Sequence, residues 1–216
     1  VQDADIFSGY NSSMKAAMDE FWNLTPYKLV TFDESRPFWN SPDHSFLLLS
    51  EAEEKTGGTV CRYNTSWLLL GGKEASVDKQ IEILCIPIAY RDADEDSYLY
   101  KLGALIQFYQ FYINYRLTHQ DFNARKLLKD FADGLKNTEL WLLPEQVSSE
   151  LQVANHRVTS YPYRSKVVSK SEIEQAIMDR KPGVAFLHII APDGIQEKGM
   201  VYKAILSIED GKPLFF

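Results

Sequence analysis

The chain has 216 residues, of which 45% are hydrophobic and 13% aromatic, and its formal net charge is −7. That apolar content suffices for a sizeable core and sets aside a disordered chain, and the acidic charge without any Lys/Arg cluster sets aside nucleic acid and anionic membranes as partners. The acidic excess lies in residues 1–100, which carry 17 acids against 8 bases; residues 101–216 carry 13 against 15.

The chain opens VQDADIF rather than with Met, and the expectation is a secreted or periplasmic protein whose export signal has been removed. Three Asn-x-Ser/Thr sequons, at Asn11, Asn23 and Asn64, would matter only in a eukaryotic secretory chain. Residues 13–23 place Met14, Ala17, Met18, Phe21 and Trp22 on one helical stripe, which predicts an amphipathic helix. YKLVT (27–31) reads as a strand, and Thr31 with Glu34 has the form of a capping box opening a short helix that Pro37 curtails. SFLLLS (45–50) is a continuous apolar run, expected as an interior strand buried on both faces, with Glu51, Glu53, Glu54, Gly57 and Gly58 forming the loop after it. TVCRYNTSWLLL (59–70) and QIEILCIPIA (80–89) follow as strands, Pro87 drawing the second toward a sheet edge.

Residues 98–117, YLYKLGALIQFYQFYINYRL, are apolar nearly all round a helix except for a narrow stripe of Gly103, Gln107, Gln110 and Asn114. Such a helix must be covered, yet its apolar part is too short to cross a bilayer. A second helix, 121–136, has one apolar face built from Ala124, Leu127, Leu128, Phe131, Ala132 and Leu135. LWLL (140–143) reads as a short strand, 144–160 as irregular, then a strand to Val168, a capping box of Ser169 and Glu172, a helix with Ile173, Ala176 and Ile177 inward, a buried strand VAFLHII (184–190), and VYKAILSI (201–208) before an Asp210-Gly211 turn.

This order repeats the beginning of the chain. Pro26 and Pro162, Thr31 and Ser169, Phe46 and Phe186, Tyr63 and Tyr202, and Gly72 and Gly211 correspond at offsets from 136 to 140. The expected fold is therefore mixed α/β: pseudo-duplicated β-α-β-β units at about 26–90 and 140–216 with mixed sheets, and two long helices over 94–137 packing on or between them. Residues 1–216 are expected to form one compact unit.

Compact chemical signatures are absent: no Gly-x-Ser-x-Gly, His-Glu-x-x-His, phosphate-binding glycine loop or Cys-x-x-Cys occurs. Cys61 and Cys85 both fall in predicted strands and read as buried thiols, a disulfide being the alternative if those strands adjoin. Asp92, Asp94 and Asp96 alternate as in a calcium loop, but Ser97 replaces the turn glycine and Gly103 the closing Glu, so Asp94 or Asp96 is read instead as the cap of the 98–117 helix. Asp43, His44 and Ser45 are adjacent in sequence and cannot form a triad among themselves, which leaves His44 as a base with a distant partner. His188 reads as a core histidine, and His119 and His156 show no ligand spacing. Tyr98, Tyr109 and Tyr112 lie along one side of the long helix with Leu102 and Leu105, as in a core or an aromatic-lined cleft.

The candidate ligand-binding residues are thus His44, Asp92, Tyr98, Tyr109 and Tyr112; no catalytic residue is assigned, and no cofactor or metal is expected. The function favoured is an exported, non-catalytic module binding a small ligand or a protein, as a monomer or weak dimer. A hydrolase with a His/carboxylate site and a structural subunit of a cell-surface assembly are the alternatives.

Overall fold

A computed structural model describes residues 9–56, 59–72, 79–119, 123–147, 153–154, 157–158, 161–191 and 200–216. Helix α1 (Gly9–Phe21) comes first. Then α2 (Phe32–Ser35) and a 3-10 turn (Arg36–Phe38) lead into β1 (Ser45–Thr56), β2 (Thr59–Leu70) and β3 (Ile81–Tyr90). Further along come α3 (Leu102–Thr118), α4 (Ala124–Phe131), β4 (Glu139–Leu142), β5 (Val153–Ala154), β6 (Arg157–Val158) and β7 (Ser165–Val167). The chain finishes with α5 (Lys170–Met178), β8 (Val184–Ile190), β9 (Tyr202–Ser207) and β10 (Pro213–Phe215). It is a mixed α+β protein in which no described helix is long and apolar enough to cross a membrane. The chain divides into two compact units. The first holds the described residues of Val1–Lys15, Thr25–Tyr98 and Ile190–Val201, and the second those of Ala16–Leu24, Leu99–Ile189 and Tyr202–Phe216.

The first unit is built on an antiparallel sheet ordered β1-β2-β3. The predicted capping box forms, with the Glu34 N–H donating to Thr31 Oγ1 and the Thr31 N–H donating to the Glu34 carboxylate. Residues 27–30 are in no strand, because a β-prone sequence without a neighbour to pair with gains no ladder. β1 is an edge strand rather than an interior one. Phe46 and Leu48 pack on Trp39 and Leu69 while alternate residues stay partly exposed. Its acidic continuation, expected as loop, is strand as far as Thr56, because Glu53 stands opposite Arg62 and pairs with it at 3.2 Å, and Glu51 pairs with Arg91 at 3.2 Å. Gly57 and Gly58 lie outside the described residues. Pro87 sits in the edge strand β3, next to a register shift between Asn64 and Thr65 of β2.

The second unit carries a five-stranded sheet ordered β10-β9-β8-β4-β7, in which β4 runs parallel to both neighbours. Parallel strands need a crossover, and α5 supplies it between β7 and β8. The core around Leu140, Leu142, Ala185, Ile205 and Leu214 is joined by Phe131 and Leu135 from α4 and the 3-10 segment after it. Ile173, Ala176 and Ile177 are buried on α5 and His188 is buried in β8.

The polar stripe of α3 turns out to be a docking groove for the end of α1. A Cβ on Gly103 would lie 2.6 Å from the Phe21 ring and 3.0 Å from Ile177, so only glycine allows this approach. Gln110 bridges the last turn of α1, its amide N–H donating to the Phe21 carbonyl and its carbonyl accepting from the Asn23 N–H at 2.6 Å. Arg180, in a left-handed conformation just beyond α5 (φ 47°), donates to the Glu20 carbonyl at 2.8 Å and covers the Phe21 ring at 4.8 Å.

Candidate functional site

The chemistry of the second unit gathers at the carboxyl ends of β4 and β7. In open sheets with parallel strands this end of the sheet is where ligands bind. After β4 the chain turns through Pro144-Glu145-Gln146, a turn fixed by the Leu143 N–H donating to Gln146 Oε1 at 3.0 Å and by Gln146 Nε2 donating to the Leu187 carbonyl at 3.1 Å. After β7 the Val168 N–H donates to the Leu142 carbonyl at 2.9 Å, and Ser169 begins α5. Ser169 and Glu172 form the predicted capping box, the Ser169 N–H donating to Glu172 at 2.9 Å and the Glu172 N–H donating to Ser169 Oγ at 3.2 Å. That leaves the first-turn N–H groups of Lys170 and Ser171 without intrahelical acceptors, at the positive end of the helix dipole.

The 3-10 turn Leu99–Lys101, which leads into α3, packs against α5 and brings Tyr100 and Lys101 to the same place. Lys101 is 2% exposed. Its Nζ stands 5.9 Å from the centroid of the Tyr100 ring, and among the described residues it makes neither an ion pair nor a hydrogen bond. Burial, and then the positive charge of Lys170, push the amine down to about 7. Tyr100 is likewise buried, and its hydroxyl is driven up by desolvation and then by the nearby Glu145 carboxylate. Lys170 and Glu145 form the outer pair, 3.9 Å apart and both largely exposed. Beside them Lys166 pairs with Glu172 at 3.2 Å and lies 5.0 Å over the Trp141 ring.

A buried cation normally has a carboxylate partner or several acceptors, because an uncompensated charge in a low-dielectric interior costs several kcal/mol. Lys101 has neither. The site can therefore do two things: accept an anion, which would supply the missing counter-charge, or present a neutral amine at neutral pH.

The residues singled out from the sequence are spread over both units. His44 is exposed in the turn before β1, its Nδ1 2.9 Å from Ser41 Oγ and its ring 4.9 Å from that of Phe38. Asp92 is exposed just after β3. The pairing of Ser45 with Leu70 and of Tyr63 with Tyr90 places His44 and Asp92 at opposite ends of the first sheet, about 23 Å apart along β2. Tyr98 is buried against Tyr10, with ring centroids 6.3 Å apart. Tyr109 is in the core of the second unit, and Tyr112 is half-buried there, 6.1 Å from Phe108. Asp94 and Asp96 do not cap α3, whose N-cap position is Lys101. His119 stacks on Tyr115 at 3.8 Å between centroids, and His156 lies outside the described residues.

The two cysteines are free thiols. Cys61 faces Glu54 across the sheet and Cys85 faces Trp67, six residues further along β2, so the strands hold them apart. The Cys61 thiol is held below its ordinary range by the Met200 N–H and then the Tyr63 hydroxyl, whereas burial pushes Cys85 up to about 11. Among the described residues, no group of His, Cys, Asp and Glu side chains could hold a metal ion.

Lys101 escaped the sequence reading because it lies within the 98–117 stretch but off the stripe of Gly103, Gln107, Gln110 and Asn114 that drew attention. The available signal was a lone Lys inside YLYKLGALI, a lysine flanked on both sides by apolar residues. Comparison with protein-family models, curated proteins and solved structures gave no match.

Proposed function

We propose that the protein is a ligand-binding module that takes a small oxyanion at the carboxyl ends of β4 and β7. Lys101 is the buried counter-charge, and Lys170 with the free N–H groups at the start of α5 forms the outer half of the site. The observation that carries this reading is the burial of Lys101 with no ion pair or hydrogen bond among the described residues. The wider proposal is an exported, non-catalytic binding protein. Its two halves are read as copies of one unit, for which the support is that each capping-box helix precedes three strands adjacent in their sheet, β1-β2-β3 and β8-β9-β10.

Thermal unfolding near pH 7 in sodium phosphate, sulfate or acetate, against chloride at equal ionic strength, tests the site. A ligand that prefers the folded state raises the unfolding temperature by mass action. At least one oxyanion should raise it in the wild type and not in Lys101→Met. An equal rise in both proteins would remove Lys101 from the site, and no rise with any anion would remove the site.

A further inference from the structure

We draw no further inference here: the strongest candidate, the outer edge of β1 in the first unit, whose proposed counterpart β8 has β4 on that side in the second unit, carries nothing because nothing in the structure shows what covers it.

Discussion

Each unit of the protein buries an ionisable side chain, and the two are treated in opposite ways. Cys61 is 4% exposed on β2, beside two donors, the Met200 N–H and the Tyr63 hydroxyl, while the Tyr90 hydroxyl donates to the Met200 carbonyl at 2.7 Å. Strand register produces this arrangement, since Tyr63 lies two residues beyond Cys61 on the same face and directly opposite Tyr90. Lys101 is as deeply buried, but its amine lies 5.9 Å from the centroid of an aromatic ring, that of Tyr100, and feels the positive charge of Lys170. The first group is compensated from within the fold and reads as structure. The second lacks such compensation among the described residues, a cost that deprotonation or a bound anion would relieve, and buried groups of that kind are candidates for functional sites.

The comparison is most exposed to failure at Lys101→Met. The amine titrates near 7 when folded and at 10.5 otherwise, so between these values the unfolded chain binds more protons and stability rises with pH. Each pK unit corresponds to about 1.4 kcal/mol. Replacing the amine by an apolar side chain of similar length should raise the unfolding free energy at pH 6 by roughly 2–4 kcal/mol and flatten the rise between pH 7 and 10.5. Urea unfolding across that range checks it, and a destabilised Met variant would show that the amine is compensated after all.

Tyr63→Phe should go the other way. Tyr63 is 2% exposed and its hydroxyl serves Cys61 and Tyr90, so the loss should cost roughly 1–3 kcal/mol and move the Cys61 thiol upward. Urea unfolding and the thiolate ultraviolet absorbance in a Cys85→Ser background read the two effects; an unchanged thiol would show that Tyr63 does not hold it down.

Ser169→Ala removes one half of a capping box and should cost about 1 kcal/mol. Glu172 is held below the usual carboxylate range by the Ser169 N–H first and then by Lys166. Its contribution is present at neutral pH and is lost as pH falls through the depressed value, so the penalty of Ser169→Ala should shrink in acid. Because the same substitution disturbs the start of α5, it should also weaken any oxyanion stabilisation. The smallest effect is expected at His44→Ala: within about 0.5 kcal/mol in stability and none on oxyanion binding, since His44 is exposed and belongs to the first unit. Loss of binding there would move the site.

Much of the secondary structure was readable because local signals acted alone. The two capping boxes, the 59–70 strand and the VAFLHII strand each form where hydroxyl-to-carboxylate spacing or apolar patterning put them. The misread stretches depended on partners distant in sequence. Glu51 to Thr56 reads as an acidic loop until Arg62 and Arg91 stand beside it, and residues 27–31 read as a strand although among the described residues 27–30 belong to none and only Thr31 forms an isolated bridge. The stripe on α3 was visible, but that Gly103 admits Phe21 and that Gln110 closes the end of α1 could come only from packing. The candidate site was hidden for the same reason. Nothing in the sequence next to Lys101 says that Lys170, 69 residues away, will stand near it.

The most direct test of the whole account is an NMR titration of the Lys101 amine, assigned by comparison with Lys101→Met, in chloride and then in phosphate at equal ionic strength. The account predicts a value near 7 in chloride that rises when phosphate binds, because an anion favours the charged form. An amine that titrates near 10.5 in both solutions would contradict it.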